Sequence, residues 1–387
     1  MRTWRIFYLA GLIWWLGGGL ATAGGWIEPP SVTSAGFPVP TPDKIPVLPA
    51  AHGAHPEYAI EWWYWIGHLN GEGTGDRYGF QATVFRLAGQ AGAQSDDSGE
   101  GLFGKDQLYL AHVALVDVRA GVYHHAERMV REGWQAGAKE GSLELRAGPI
   151  EAVENGDGFR LNFDLPGGQA LDLELVPEKP MVVFGERGLS RKGAAPEAVS
   201  WYWTYTRLAA SGTLRTSEGK RPVSGLAWMD HEISSSQLGE DLEGWDWTCM
   251  QLNDGTEVKA YRLRRAGGGM DPWSAVYWID QEGGTQVVDA WDFEWIERAV
   301  WSSKETGNGY PIEVEVQARH PDGSTRRYLL KPLLAGQEFV GNDGGNAYWE
   351  GACDVFDERG ERIGTGYLEL AGYGGGLAAR LNRNGND

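Results

Sequence analysis

The sequence predicts an all-β protein built from two antiparallel barrels, or strongly curled sheets, in tandem. Its 57 glycines in 387 residues are spread along the chain without a fixed period, which indicates many turns. Short strand-like runs separated by Gly, Asn and Asp are typical of hairpins. A faint internal repeat predicts that one β-unit occurs twice.

The first 23 residues resemble a secretory signal peptide. Two arginines precede an apolar stretch over residues 6–20, and Ala-Thr-Ala at 21–23 has the small residues of a cleavage site. The sequence carries no charge over residues 6–27, so an uncleaved membrane anchor is the alternative. Both interpretations predict a protein that is secreted or periplasmic.

After the signal peptide, residues 24–56 form a Pro-rich segment that we expect to be an extended leader. We expect an N-terminal β-domain over 57–236, a C-terminal β-domain over 237–376 and a flexible tail over 377–387. One segment, AWDFEWIERAVWSS at 290–303, has the pattern of a helical turn or two. The clearest strand-like runs are YAIEWWYWIGHL, RYGFQATVFRL, QLYLAHVALVDV, SWYWTYTRL, GWDWTCMQL, EVKAYRLRR, PIEVEVQA and GTGYLELAGYG.

The internal repeat supports this division into two domains. Residues 61–87 read EWWYWIGHLNGEGTGDRYGFQATVFRL, and residues 244–263 read GWDWTCMQLNDGTEVKAYRL. Each has a Trp-rich strand, a Leu-Asn turn followed by Gly, and a return strand ending in Arg-Leu. We therefore expect two copies of one β-unit, each closing into its own barrel or strongly curled sheet.

Net charge and cysteine content exclude some classes of protein and leave others open. The formal net charge of −19 argues against nucleic-acid binding, which needs clustered positive charge, and disfavours docking on anionic lipid. The two cysteines, Cys249 and Cys353, lie in similar strand-like segments. An oxidising compartment would permit a disulfide between them, and two buried free thiols are the alternative.

The segment WMDHEISSSQLGEDLEGWDW at 228–247 places acids among tryptophans. Alternate side chains of a strand share a face, so Asp230 and Glu232 point to the same side as Trp228, and His231 points to the other. Burying carboxylates costs several kcal/mol, roughly, unless they are paired or protonated. These acids therefore indicate either a structural role beside arginines or a purposeful site.

Three other rows of aromatic rings contain a polar group. By alternation, Trp245 and Trp247 oppose Asp246, Glu61 and Trp63 oppose Trp62 and Tyr64, and Tyr202 opposes Tyr205. The rings could fill barrel cores, but an apolar cavity with a few placed polar groups is how ligand sites are built. We predict such a cavity, with catalytic candidates Asp230, His231, Glu232 and Glu61 and ligand-binding candidates Trp62, Trp63, Tyr64, Tyr202, Tyr205, Trp228, Trp245, Asp246 and Trp247.

Other chemistries are less well supported by the sequence. It contains no Gly-x-Ser-x-Gly and no His-Glu-x-x-His, and it lacks phosphate loops and dinucleotide fingerprints. His112, His124 and His125 could join His231 only through folding, so we predict no metal site and no cofactor. A glycosidase-type carboxylate pair, such as Glu61 with Asp230, stays open because the sequence does not give their separation.

Several motifs resemble the AttH-type and carotenoid 1,2-hydratase superfamily. They are EWWYWIGHL, GFQATVFR, SRKG, SWYWTYTRL, GLAWMDHE, GWDWTCMQLNDG, YRLR and YWEGACDVFDERGERIGTGYLEL, in this order between residues 57 and 374. The resemblance implies two tandem lipocalin-like barrels, in agreement with the repeat. Its characterised branch adds water to a terminal double bond of acyclic carotenoids, whereas this chain looks closer to the secreted AttH-like branch. Secreted members are often named predicted hydrolases, which the missing nucleophile motif does not support.

The resemblance suggests roles for the acids. Hydrating an alkene requires a neutral carboxylic acid to protonate carbon and aromatic faces to stabilise the resulting cation. We expect Asp230 to be the proton donor and Glu232 or His231 to tune it or to orient water. The leading interpretation is a hydro-lyase acting on a long apolar or isoprenoid-like ligand. The alternatives are a periplasmic carrier that binds a lipophile without chemistry and an attachment module. The resemblance also implies that the protein associates with membrane or transporter components.

Overall fold

The computed structural model describes residues 25–44, 46–89, 91, 107–236, 238–239, 241–341, 347–375 and 377. The expected signal peptide and nearly all of the expected tail lie outside these residues. Within them, the named elements are β-strands and one short 3₁₀ helix, Ala50–His52, which confirms the all-β class. No helix of the described part is long and apolar enough to cross a membrane.

The strands form two antiparallel sheets that follow each other along the chain. The first sheet contains β1 (Ile60–Gly71), β2 (Arg77–Ala88), β3 (Gln107–Asp117), β4 (Val122–Arg131), β5 (Ala136–Ala138), β6 (Glu144–Ala147), β7 (Ile150–Asn155), β8 (Gly158–Asp164), β9 (Ala170–Pro177), β10 (Val182–Val183), β11 (Leu189–Arg191), β12 (Val199–Thr216) and β13 (Gly219–Ser234). The second contains β14 (Leu242–Leu252), β15 (Glu257–Arg265), β16 (Ala275–Ile279), β17 (Thr285–Asp289), β18 (Phe293–Ser302), β19 (Gly309–Arg319), β20 (Thr325–Pro332), β21 (Glu338–Val340), β22 (Ala347–Phe356) and β23 (Arg362–Ala371). The segment that we expected to contain a helical turn is strand β18.

The two sheets have the same plan. In the first, the order is β4-β3-β2-β1-β13-β12-β9-β8-β7-β6-β5, so the first strand pairs with the last. In the second, the order is β17-β16-β15-β14-β23-β22-β20-β19-β18, and again the first strand pairs with the last. The two repeat segments are the opening hairpins, β1–β2 and β14–β15, of their sheets. Each sheet curls into a near-closed barrel, which confirms the tandem lipocalin-like architecture.

Strand alternation gives the central strands two apolar faces. In β1, Trp63 and Trp65 enter the core of the first barrel, whereas Tyr64 and Ile66 belong to a third cluster that contains residues of both sheets. The predicted faces of this strand are therefore confirmed. Both faces are rich in rings because one packs inside the barrel and the other packs against the second sheet.

Polar contacts also join the sheets. The Gln251 side-chain amide donates to the backbone oxygens of Thr206 and Ala227, both at 2.9 Å. The backbones approach so closely that a Cβ added at Gly79 of β2 would lie 2.5 Å from the Cβ of Ala352 in β22. The sheets thus share an interface in which small changes of side-chain volume matter.

The two cysteines lie in the second sheet, Cys249 in β14 and Cys353 in β22. Both are buried and free, so of the two alternatives the structure has free thiols. Burial raises the pKa of both thiols well above its ordinary value. They therefore contribute packing rather than a covalent link.

Candidate functional site

A cavity of about 520 Å³ lies between the two sheets. Its walls come from β1, β2, β3, β4, β12 and β13 on one side and from β14, β15, β22 and β23 on the other. Its volume falls within the range of roughly 300–1,000 Å³ that is usual for small-molecule sites. The interiors of both barrels are occupied by apolar side chains, so the candidate site is the space between the sheets.

About half of the residues predicted for the site line this cavity. They are Trp62, Tyr64, Tyr202, Asp230, Glu232, Trp245 and Trp247. Trp228 does not line the cavity itself, but its indole N–H donates to Asp230 at 2.7 Å. Strand alternation explains the set, since each of these residues occupies the inter-sheet face of its strand.

Asp230 is buried at the cavity wall and accepts three hydrogen bonds. The donors are the hydroxyls of Tyr202 and Thr204, both at 2.5 Å, and the indole of Trp228. Burial raises the pKa of Asp230, and the charge of Lys259 and the three donors oppose that rise. Asp230 therefore has a fixed orientation and a carboxyl group that holds its proton more readily than an exposed one.

Lys259, on the second sheet, is the basic residue whose charge acts on Asp230. Its Nζ lies 3.6 Å from the ring centroid of Tyr202 and 3.7 Å from that of Phe184. Among the described residues, this nitrogen has no hydrogen-bond partner. Burial lowers the pKa of Lys259, and the charge of Asp230 opposes that effect. The two groups thus set each other's protonation across the inter-sheet interface.

Glu232 lies two residues along β13 and has a different environment. Its Oε1 accepts from the Ser200 hydroxyl and pairs with Lys192 Nζ, each at 2.6 Å. Lys192 Nζ also lies 4.8 Å from the centroid of the Tyr202 ring. Glu232 is therefore an ion-paired carboxylate at the cavity wall, two residues from Asp230.

Glu61 and His231 do not line the cavity, contrary to the sequence expectation. Glu61 Oε1 contacts His55 Nδ1 at 2.9 Å and His231 Nε2 at 2.8 Å, and Oε2 accepts from Arg86 Nε at 2.9 Å. All but His55 are fully buried. Although burial raises the pKa of Glu61, its partners hold it well below the ordinary value. Both residues occupy the barrel-facing sides of β1 and β13, which explains their separation from Asp230.

This histidine–glutamate cluster also brings metal-type donors together. Ligand atoms of His55, Glu61 and His231 lie within 4.8 Å of one another. However, both Glu61 oxygens already accept hydrogen bonds, one of them from the Arg86 guanidinium. A divalent cation here would have to displace these donors beside a buried positive charge. We interpret the cluster as a hydrogen-bonded hub of the first barrel.

Three other predicted ligand contacts also lie elsewhere. Asp246 is bound by Arg262, by Arg264 at 3.1 Å and by the Tyr373 hydroxyl at 3.0 Å, on the opposite face of β14 from the cavity tryptophans. Trp63 donates its indole N–H to the backbone oxygen of His52 within the first barrel. Tyr205 is in the same core, 3.2 Å from His52 Nε2. Each lies on the face of its strand opposite to the cavity.

The structure adds two cavity acids that the sequence reasoning missed. Glu350 of β22 and Glu369 of β23 are directly opposite each other, and both line the cavity. Burial, with the charge of Glu369, raises the pKa of Glu350 well above its ordinary value. Burial also raises the pKa of Glu369 to about 7, with Asp230 and Glu232 adding to the effect. The alternation rule applied to YWEGACDVF and GYLEL would have found both acids.

Glu350 belongs to a network that crosses the cavity wall. Its carboxyl accepts from the Tyr64 hydroxyl and from Gln81 Nε2, the latter at 2.8 Å. Gln81 Nε2 also lies 2.9 Å from the Tyr348 hydroxyl, which hydrogen bonds to His112 Nδ1 at 2.8 Å. His112 itself lines the cavity, and it hydrogen bonds to Tyr348 and not, as a shared metal site would need, to His231.

Comparison with known proteins agrees with this architecture. A model of the AttH-like family matches residues 39–373. The chain belongs to the AttH-like family. Its structure is similar to that of an AttH from Nitrosomonas europaea, with 30% sequence identity, a TM-score of 0.75 and coverage of 85% of this chain and 98% of that chain. The resemblance deduced from the motifs is therefore confirmed.

A second similar structure shows how far the AttH-like architecture extends. Kievitone hydratase from Nectria haematococca is 13% identical, with a TM-score of 0.63 and coverage of 89% of this chain and 97% of that chain. At this identity the similarity shows the fold alone. No curated protein matches the chain.

Proposed function

We propose that this AttH-like protein catalyses the acid-catalysed addition of water to a carbon–carbon double bond of a lipophilic small molecule. The observation that carries the proposal is a buried carboxyl, Asp230, at the wall of an aromatic-lined cavity between the sheets. Protonating an alkene requires a neutral acid in an apolar setting, and burial supplies that setting. Asp230, whose pKa is raised, is the proton donor in this proposal.

The reaction follows from the residues at the wall. The alkene π electrons take the proton of Asp230 and form a C–H bond, leaving a cation on the other carbon and a carboxylate on Asp230. Nearby rings, among them Trp62, Trp245 and Trp247, stabilise the cation by about 0.5–2 kcal/mol each. A water oxygen then bonds to the cationic carbon and loses one proton to Glu232, from which Asp230 is reprotonated.

The lining of the cavity favours an enzyme over a carrier. A carrier needs only apolar and hydroxyl groups, whereas this wall includes the carboxyls of Asp230, Glu232, Glu350 and Glu369. Acids beside a lipophile cost free energy even when they are hydrogen-bonded or protonated, so their presence favours a role for at least one of them in chemistry. The similarity of the fold to that of kievitone hydratase and the hydratase branch of the resembling superfamily support the same class of reaction.

We also propose that the protein works outside the cytoplasm and obtains its ligand from a membrane or from transporter components. The support is the N-terminal signal pattern together with the apolar character expected of the ligand. The net charge of −19 argues against nucleic acid as a partner. Fractionating cells that express the full chain, and sequencing the N-terminus of the mature protein, would test the location and the cleavage after residue 23.

The test of the activity begins with organic extraction of the purified protein and mass spectrometry of any lipophile that co-purifies. That lipophile is then incubated with the protein in ¹⁸O-labelled water. We expect a product heavier by one labelled water, and a loss of turnover of about 10²–10⁴-fold in Asp230→Asn with ligand binding retained.

The matched control is Glu294→Gln, which removes an acid from the exposed face of β18 and should leave turnover unchanged. Binding of the lipophile without any incorporation of label would overturn the proposed hydration and favour the carrier. Full activity in Asp230→Asn would remove that residue from the mechanism.

A further inference from the structure

The acids of the cavity differ in how their charge is balanced. Glu232 has an ion pair with Lys192, and Asp230 has three hydrogen-bond donors and the nearby charge of Lys259. Glu350 and Glu369 lie on the second sheet, and no Lys, Arg or His of the described residues forms an ion pair with either. The cavity therefore has one end where charge is balanced and another where it is not.

The unbalanced end is built from two strands in register. Glu350 and Glu369 are cross-strand neighbours, a position in which two like charges repel. Other titratable groups also interact electrostatically with Glu350 or Glu369, but they do not cancel the repulsion between the two carboxylates. They are Asp230, Glu232 and Lys192 towards Glu369, and Tyr64, Tyr123, Tyr348, Tyr367 and Cys249 towards Glu350. Lys192 is the one cation among them, and its own ion pair is with Glu232.

A second observation points to a ligand at this end. Gln81 is buried, lines the cavity and donates its Nε2 to Glu350, but its Oε1 has no hydrogen-bond partner among the described residues. A buried amide oxygen without a donor is unfavourable, because folding has removed the water that it would otherwise bind. Beside two carboxyls, this acceptor calls for an N–H or O–H donor from a bound molecule.

Aromatic rings complete the surroundings. Tyr64, whose hydroxyl donates to Glu350, packs edge to face with Trp247 at a centroid distance of 5.7 Å. Trp245 lines the same cavity as Glu369 and lowers the pKa of that carboxyl. Cations bind favourably over such ring faces, and the effect grows when water is excluded. Paired carboxyls, an unsatisfied acceptor and ring faces together form a site for a cation that carries N–H groups.

We propose that the Glu350–Glu369 end of the cavity binds the protonated amine of a lipophilic ligand, whose apolar body extends towards Asp230. The ammonium lies beside both carboxyl groups, offsets the charge of one carboxylate and donates to Gln81 Oε1. The inference rests on the proposed function in placing a lipophile in this cavity, but it does not depend on hydration. It narrows the ligand class from a lipophile to a lipophilic amine.

The test uses two simple probes with the full chain, n-octylamine and 1-octanol. An aliphatic amine is protonated below about pH 10, so at about pH 8 the probes differ mainly in charge. We expect octylammonium to bind at least about tenfold more tightly than octanol by isothermal titration calorimetry. Binding should also release protons, seen as an enthalpy that depends on the buffer, because the carboxyl pair must ionise; octanol should release none.

Two comparisons make the test specific. Glu369→Gln should weaken octylammonium binding about tenfold or more and leave octanol binding unchanged, whereas the exposed control Glu294→Gln should change neither. Trimethyloctylammonium, which has no N–H, should bind more weakly than octylammonium because it cannot donate to Gln81. Circular dichroism of Glu369→Gln checks that the variant is folded.

Equal affinity for octylammonium and octanol in the wild type would overturn the inference, as would unchanged octylammonium binding in folded Glu369→Gln. These results are independent of turnover. A protein that binds the ammonium selectively but incorporates no labelled water would keep this inference and lose the proposed hydration. The reverse pattern would keep hydration and lose the amine site.

Discussion

At the scale of single residues, the buried acids differ in what satisfies them. Glu61 and Asp246 are held by arginine guanidinium groups, which fixes them as structural groups. Asp230 and Glu350 instead accept from hydroxyl, amide or indole groups. Burial raises the pKa of Asp230, Glu350 and Asp246, whereas the partners of Glu61 lower its pKa. The same residue type thus serves the fold in one place and can handle protons in another.

Replacing Glu61 by glutamine should strongly destabilise the protein without changing the cavity. The substitution keeps the shape of the side chain but leaves the buried Arg86 charge without its partner, at a cost of about 3–5 kcal/mol. Urea denaturation followed by tryptophan fluorescence measures the loss in free energy of unfolding. The exposed acid Glu294 gives the control, for which Glu294→Gln should change stability by less than about 0.5 kcal/mol. A loss of similar size in both variants would show that Glu61 is not a structural hub.

Strand alternation correctly predicted which residues share a face, but not what each face meets. The sequence placed Asp230 opposite His231 and Trp245 opposite Asp246, and the structure agrees. It did not identify the partners, because Arg86 reaches Glu61 from another strand and Tyr64 reaches Glu350 from the other sheet. Local periodicity contains no information about such distant pairings, so Glu61 and His231 were expected in the wrong place.

At the scale of elements, β1, β12, β13 and β14 each serve two layers. One face of each strand packs inside a barrel, and the other contributes to the interface between the sheets, which also forms the cavity wall. Their Trp-rich sequences follow from this double burial. The strands themselves were predictable from the sequence, whereas the pairing of β1 with β13 and of β14 with β23 was not, because such long-range register depends on the complete sheet.

The contact between β2 and β22 should be sensitive to a single methyl group. Gly79→Ala places a Cβ 2.5 Å from the Cβ of Ala352, too close for both to stay in place. We expect a loss of about 1–3 kcal/mol in the free energy of unfolding, because the sheets must move apart. Ala352→Gly in the same chain should recover most of that loss, and a double-mutant cycle by urea denaturation measures the coupling. Additive effects of the two substitutions would contradict the contact.

At the scale of the whole molecule, buried histidines make stability depend on pH. Burial lowers the pKa of His68 to about 4 and that of His52 to about 3. It also lowers the pKa of His112, His125 and His231, whereas the pKa of His55 is raised. In the unfolded chain histidine binds a proton below about pH 6.5, so the unfolded state takes up more protons than the native state as the pH falls.

The sign of that effect gives a prediction. Between about pH 6.5 and 4, stability should rise with pH through His68, by about 3 kcal/mol over the whole window. The raised pKa of His55 acts in the opposite direction, and so do the raised pKa values of the buried cavity acids, of which that of Glu369 is about 7. Glu61 contributes only below about pH 4. The contribution of His68 is therefore the difference in slope between the wild type and His68→Gln. Urea denaturation at several pH values measures the slope. His68→Gln, which can keep the 2.8 Å hydrogen bond to the Gly366 oxygen, should flatten it, and an unchanged slope would remove His68 from the effect.

The pairing of the first strand of each sheet with the last has a consequence for folding. While the ribosome is still making the chain, β1 can pair with β2 but its other edge stays open until Gly219–Ser234 has been synthesised. Closing such a large loop is slow, and an exposed edge rich in tryptophan invites aggregation in the meantime. The same delay recurs in the second sheet, where β14 waits for Arg362–Ala371. Removing β23 would therefore leave the second sheet unable to close at all.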